Sequence, residues 1–520
     1  MHSLSFRNKL YSWIFFGILV LVASLVYKDY GLSWDEPVQR GIGMQAYNYA
    51  TSGDQTYLKM YDKIYGVGFE LPLIFLEKKL ELEDTRHIFL MRHLVQILFF
   101  AYACFVFFRM NLRLFGSLKI AIIPALILVF TPRIFAHAFF NPKDIPFLCM
   151  YIISFSALHK YLLKPGFLRL IVLGICAGLL INFRIMGVLF FGSALAVIFL
   201  YLVQQRKMKF FMHLIFFTSV SAVVLYSTWP YLWEYPIKNF KNSFALMSQF
   251  PWQGSMLFRG MVIGPGERLT QYLFWWIAIS VPILYLVSSG IGIIVFIWKN
   301  IRNPKKIFDD PLKIMGWIFI VNTIVPVAAV LYLRSILYDD WRQLYFIYPA
   351  MIVFVGFLLH FINKWKPKFA TLGSLLVLFY ILYIGFQMMR LHPYENVYFN
   401  EIVSHKKDYI QEHYDEDYWG TSFYEGLKYI AKTDQSDTIK VFLFHDALKR
   451  NSMLLPEKDR NRFVFMQNIG TKEGIAEKGS QYYLTNFRYD YIDIIGNSQF
   501  KNIVYTIDRQ NSTILRIWKH

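Results

Sequence analysis

Long apolar runs separated by short polar loops occupy the first three quarters of the chain, and they define eleven membrane-length segments. Their approximate limits are 11–27, 88–108, 119–137, 145–163, 169–183, 185–203, 211–229, 270–297, 314–333, 344–363 and 370–389. The fifth is the weakest, because Arg184 splits a longer apolar stretch. The first is not followed by a small-residue cleavage site and reads as a retained helix. Beyond Leu391 the pattern changes to mixed polarity. Gly426–Ala431 lies in a helix-like stretch, and 440–444, 463–465 and 482–484 alternate like strands. Residues 503–507 and 513–518, separated by polar residues including Asn511, form a closing hairpin. The expected fold is therefore an α-helical polytopic membrane domain of about eleven spans, residues 1–390, followed by a small extracytoplasmic α/β domain, residues 391–520. No inverted repeat of the transporter kind is visible.

Charge sets the orientation. Arg7 and Lys9 precede the first span. Arg109, Arg113 and Lys119, then Lys160, Lys164 and Arg169, then Arg206, Lys207 and Lys209 follow in alternate loops. Lys299, Arg302, Lys305, Lys306 and Lys313 come next, and then Lys364, Lys366 and Lys368. With eleven spans all six clusters fall on one side, which the positive-inside rule makes the cytoplasm. The other side receives the loop 28–86, the loop 230–270 and the tail. The chain is then a multi-pass protein of a bacterial inner membrane.

Composition agrees. Of 520 residues 56% are hydrophobic and 19% aromatic, with 17% charged, more apolar than a soluble protein needs. The net charge of +19 comes from the inner loops and does not imply nucleic acid. Cys104, Cys149 and Cys176 fall inside apolar runs and read as small hydrophobes, not as a disulfide framework or metal site.

The chemistry concentrates on the outer side. Asp35, Glu36 and Arg40 follow the first span. The loop between the third and fourth spans carries Arg133, His137, Lys143 and Asp144. Arg184 lies between the fifth and sixth, and Asp339, Asp340 and Arg342 between the ninth and tenth. Arg suits forked contacts with phosphate oxygens, so the set fits a lipid phosphate or pyrophosphate at the membrane surface. Asp35 and Asp144 are the carboxylates facing it, with Asp35 the candidate proton acceptor. Blander readings stand beside these. Each Arg near a span end can snorkel to headgroups. Asp35-Glu36 can be a helix N-terminal acid pair. His137 can be a packing residue, and Asp144 can pair with Lys143 or Arg133. Asp417-Tyr418-Trp419-Gly420 is similar to the Trp-Trp-Asp-x-Gly signature of oligosaccharyltransferases but differs in order and lacks one Trp, so it is expected to be packing. Gly264-Pro265-Gly266 is a turn, since no Lys-Ser/Thr follows it.

These features together resemble the GT-C glycosyltransferases, the group that includes protein O-mannosyltransferases and lipid A aminoarabinose transferases. The resemblance to bacterial family 39-type members rests on Asp35-Glu36, Lys143-Asp144, Tyr65-Gly-Val-Gly-Phe-Glu70, Phe140-Asn-Pro-Lys-Asp-Ile-Pro146, Trp229-Pro230, Tyr338-Asp-Asp-Trp-Arg342 and His392-Pro-Tyr-Glu-Asn-Val-Tyr-Phe-Asn400. It implies an inverting transfer of a sugar from a polyprenyl phosphate to a lipid, glycan or protein acceptor on the extracytoplasmic face. It implies Asp35 as base, Glu36 as its orienting neighbour and Asp144 as the second acid. It also implies Lys143, Arg133, Arg184, Arg342 and His137 as donor-phosphate ligands. The tail lacks the carbohydrate-binding repeats of the eukaryotic mannosyltransferases. The outer loops show no Asp-x-Asp spacing of the nucleotide-sugar enzymes, since Asp339-Asp340 is adjacent, so neither a metal nor another cofactor is expected. Two other readings stay open, a lipid or polysaccharide transporter and an oligosaccharide ligase using a pyrophosphate donor.

Overall fold

A computed structural model describes residues 5–204, 210–250, 252–265, 267, 270–302, 307, 310–406, 408–443, 445–467, 480–488 and 502–519. Arg206, Lys207, Lys209, Gly266, Lys305, Lys306 and Phe444, singled out above, lie outside the described residues.

Helix α1 spans Phe6–Val26. The outer segment after it folds into α2 (Asp35–Ser52), α3 (Thr56–Lys59) and α4 (Glu70–Lys79). Helices α5 (Thr85–Phe115), α6 (Leu118–Val129), α7 (Pro132–Phe140), α8 (Asp144–Leu163), α9 (Phe167–Phe183), α10 (Gly187–Gln204) and α11 (Phe210–Thr228) follow. The second outer segment holds α12 (Pro236–Ser248) and the hairpin β1 (Met256–Phe258) and β2 (Met261–Ile263). Helices α13 (Tyr272–Ser280), α14 (Ile283–Asn300), α15 (Pro311–Tyr332), α16 (Tyr348–Trp365) and α17 (Pro367–Leu391) complete the membrane part.

Among the described residues nine helices are long and apolar enough to cross a bilayer. The bent pair α6–α7 makes a tenth, and the shorter apolar helix α9 corresponds to the weak fifth run. The protein is an integral, multi-pass membrane protein, and the expected helical architecture of about eleven spans is present. Burial sorts the helices. In the most apolar window of α8, 89% of residues are buried, against 17% for α1 and 22% for α17. Exposed Leu21, Leu25, Phe379 and Leu382 on the latter two are what a hydrocarbon solvent permits. The central helix α8 therefore carries Asp144 at its N-terminal end.

The bend of 61° between α6 and α7 has a local cause. Pro132 lacks an amide donor and disfavours helix at Thr131. The Thr131 hydroxyl donates back to the Ile127 carbonyl at 2.7 Å. The bend carries the Arg133–Phe140 segment under the tail instead of straight out of the bilayer.

The tail contains α18 (Tyr409–His413), α19 (Phe423–Thr433), β3 (Ile439–Leu443), α20 (Asp446–Asn451), α21 (Glu457–Arg460), β4 (Phe463–Gln467), β5 (Tyr482–Thr485), β6 (Ile503–Arg509) and β7 (Ser512–Lys519). The strands form one mixed sheet in the order β4-β3-β5-β7-β6. β3 runs parallel to β4 and β5, and β7 antiparallel to β5 and β6. The β6–β7 turn uses Gln510 and Asn511, both with positive φ (46° and 64°), the backbone that matches strand twist in a two-residue hairpin. Helix α19 buries Phe423, Leu427, Ile430 and Ala431. Its Gly426 admits Leu484, Leu515 and Ile517 so closely that a Cβ there would meet Leu515 at 2.8 Å.

Candidate active site

Asp35 and Glu36 lie in the first turn of α2, where the amide dipoles favour carboxylates. Their environments then separate them. Glu36 is buried, accepts from the Ser33 amide at 2.8 Å, and stands 2.9 Å from His93 Nε2. Asp35 keeps 22% of its side chain exposed and faces Lys143 Nζ at 3.2 Å. Glu36 holds the turn, and Asp35 is left accessible.

Lys143 and Asp144 enter from the α7–α8 connection. The Asn141 side chain shapes this turn, accepting from the Lys143 amide at 3.2 Å and the Asp144 amide at 2.9 Å. Its Nδ2 donates to Asp144 Oδ2 at 2.9 Å. Asp144 is fully buried and also ion-paired with Arg184 and, at 3.2 Å, with Arg342. The sequence left Lys143 or Arg133 as partners of Asp144. Instead Lys143 turns to Asp35, and Arg184 and Arg342 take Asp144. The two acids are engaged differently: Asp144 has both oxygens in hydrogen bonds and ion pairs, whereas the partly exposed Asp35 faces cations through Oδ2, Lys143 at 3.2 Å and Arg342 at 4.0 Å.

Arg342 ties the pieces together. Its Nη1 lies 3.2 Å from Asp144 and 4.0 Å from Asp35, and its Nη2 3.7 Å from Asp339. The guanidinium sits 5.0 Å from the Tyr338 ring centre and 4.6 Å from that of Trp419. Asp339 and Asp340 precede it with φ of 54° and 73°, a left-handed pair that non-glycine residues adopt rarely. Side-chain bonds hold that strain. Asp340 accepts from the Trp341 amide at 2.7 Å, from Tyr345 at 2.5 Å and from Arg133 at 3.1 Å. Asp339 accepts from Arg488 of the tail at 2.7 Å. Burial pushes the Asp340 carboxyl above its usual range, against the pull of Arg133.

Lys143, Arg184 and Arg342 line one cavity together with Tyr65 and Glu70. Its other wall is apolar, with Phe183, Leu189, Ala329, Val330 and Leu333 at the outer ends of α9, α10 and α15. Asp35 is not among the lining residues and meets the cavity only through its ion pair with Lys143. Tyr65 lies under the Lys143 ammonium, 4.8 Å from ring centre to Nζ. The Tyr65-Gly-Val-Gly segment can approach because Gly66 rests on the Asn182 carbonyl, where a Cβ would sit at 1.6 Å. Glu70 is paired with Arg92 and buried, and burial raises its carboxyl above the usual carboxylate range.

Arg133 and His137 lie elsewhere. Arg133 is fully buried, donates to the Tyr398 carbonyl at 2.8 Å, and stacks over Phe399 at 4.6 Å. His137 is fully buried, with Nδ1 3.1 Å from Asn141, and Nε2 3.2 Å from Tyr418 and 3.3 Å from Trp419. Neither is among the residues that line the cavity. Among the described residues no group of three His, Cys, Asp or Glu side chains is placed to hold a metal.

The sequence reads Tyr418 and Trp419 as packing, and both are buried, Trp419 against the Arg342 guanidinium at 4.6 Å and both against His137. Tyr418 and Trp419 lie more than 70 residues beyond Arg342, and 281 and 282 residues beyond His137. Their pairing had no local signal, beyond an acidic-aromatic run at the head of the tail.

Comparison with solved structures bears on the whole architecture. ArnT from Cupriavidus metallidurans bound to undecaprenyl phosphate is similar over 97% of this chain and 97% of its own, with a TM-score of 0.50 and 13% identity. The two proteins share a fold over nearly their whole lengths. The apo structure of the same ArnT is similar at TM-score 0.49 and 13% identity, over 98% of each chain. No protein-family model matches the chain, and no curated protein matches it in sequence.

Proposed function

We propose that the protein is an inverting glycosyltransferase that moves one sugar from a polyprenyl phosphate to an acceptor on the extracytoplasmic face of a bacterial inner membrane. The observation that carries this reading is the cavity. Its charged end presents Lys143, Arg184 and Arg342, and its apolar wall continues toward the outer ends of α10 and α15. That combination suits an amphiphile with a phosphate head and a hydrocarbon tail. The ArnT of shared fold was crystallised with such a lipid.

In the proposed reaction an acceptor hydroxyl attacks the anomeric carbon as the carbon–oxygen bond to the lipid phosphate breaks. Asp35 takes the hydroxyl proton. Lys143, Arg184 and Arg342 stabilise the charge that grows on the departing phosphate. One displacement from the face opposite the phosphate inverts the anomeric centre. Asp144 orients Arg184 and Arg342 through its ion pairs. His137 and Arg133 support the wall from behind.

A transporter is expected to place ionisable groups along the middle of its spans. Here the charges of the site cluster at the outer helix ends. A screen of lipid monophosphate sugars against lipid pyrophosphate sugars, with purified protein, tests the donor class. Transfer only from pyrophosphate lipids overturns the reading in favour of a ligase. Labelling of a Lys366→Cys variant from outside intact cells overturns the orientation.

A further inference from the structure

We propose that Asn451, in the C-terminal domain, is a positioning residue for Asp35, a role that rests on the transferase reading above. The Asn451 side chain is fully buried and grips both backbone groups of Leu32. Its Oδ1 accepts from the Leu32 amide at 2.9 Å, and its Nδ2 donates to the Leu32 carbonyl at 3.0 Å. One side-chain amide thus imitates a strand pairing, three residues before Asp35. The same Nδ2 lies 2.9 Å from the Gly420 carbonyl and 2.8 Å from that of Ala447. Gly420 follows Trp419, whose ring covers Arg342. A single amide therefore links the Asp35 segment to the wall that holds Arg342.

The neighbouring contacts point the same way. Gly31 packs on the Thr421 carbonyl, where a Cβ would sit at 2.1 Å. Arg450 donates to the Trp34 carbonyl at 2.5 Å and covers the Trp34 ring at 4.7 Å. The Ser33 hydroxyl donates to the Phe140 carbonyl at 2.7 Å, on the turn that carries Lys143. Residues 31–34 are held one after another, three of them by the tail. A base must be placed within a fraction of an ångström of its proton, and only an amide offers a donor and an acceptor in this spacing. An Asp of the same shape loses the donor.

The test uses the full-length protein and four variants: Asn451→Asp, Asn451→Ala, Gly31→Ala and Ser452→Ala. The Gly31 variant pushes the loop off the tail without altering the tail core. Ser452 donates only to the Lys449 carbonyl and serves as the control. Hydrogen exchange of the peptide 30–36 is expected to accelerate in the first three variants and stay at the wild-type rate in the control. With lipid-linked donor, kcat is expected to fall on the order of 10- to 100-fold in those three, with KM for the donor within about twofold. Wild-type exchange in Asn451→Asp and Gly31→Ala overturns the clamp. Accelerated exchange with unchanged kcat overturns the positioning role. Wild-type protein that transfers from no donor fails the transferase reading and the positioning role with it, while the exchange rates still decide the clamp.

Discussion

The guanidinium of Arg342, just before α16, lies 4.6 Å from the centre of the Trp419 ring in the tail. Trp419 Nε1 also donates to His137 Nε2 at 3.3 Å. The tail is thus packed against Arg342 and against His137, and Trp419 is not among the residues that line the cavity. Replacing Trp419 by Leu removes a buried cation–π contact, about 0.5–2 kcal/mol, and one hydrogen bond. Turnover is expected to fall about tenfold, with a smaller loss for Trp419→Phe, which keeps a ring face. Steady-state kinetics on both variants check the order.

The two acids of the site should fail in different ways. Asp35→Asn is expected to bind the lipid donor normally and lose about 10²- to 10⁴-fold in turnover, the range of a removed general base. Asp144→Asn removes the closest carboxylate of Arg342, leaving it Asp339 at 3.7 Å and Asp35 at 4.0 Å, and frees the partly exposed Arg184; losing a partner of a buried ion pair costs up to about 3–5 kcal/mol. Its signature is a lowered unfolding temperature together with lost activity. Equal thermal stability of the two variants would contradict this division.

The head of the tail is expected to be pH-sensitive. Burial pushes the Asp415 carboxyl up to about 7 and the Glu416 carboxyl up to about 8, from ordinary values of 3.8 and 4.5. Folding therefore favours the protonated forms. Their contribution is fully present below about pH 4 and is lost as pH rises through 7 to 8, an effect on the order of several kcal/mol. Unfolding temperatures in detergent should decline between pH 5 and 8.5. Asp415→Asn combined with Glu416→Gln should flatten that slope.

Charge at the phosphate end is supplied by Lys143, Arg184 and Arg342, and a departing monophosphate needs less neutralisation than a pyrophosphate. Transfer is expected to proceed undiminished in chelator. Activity abolished by chelator and restored by magnesium or manganese would show that these three cations are insufficient.

Periodicity and charge asymmetry, both local properties, made the helical membrane architecture legible. An apolar run of bilayer length has one stable solution in hydrocarbon, and each of the eleven runs has a helix at its position. The tail strands and the Asn511 hairpin were legible for the same reason, because alternation and turn residues act over a few positions. The acid–base clustering at Asp35, Lys143, Asp144, Arg184 and Arg342 was readable as a set of outer-loop residues. Who pairs with whom was not. Asp144 joins Arg184 and Arg342 because α8 is central and the Asn141 turn aims its carboxylate inward. Arg133 and His137 turn away because Pro132 bends the chain by 61°. Thr421, Arg450 and Asn451 reach the Asp35 segment from the far end of the sequence. Such contacts follow from packing of the whole chain, and no local spacing encodes them.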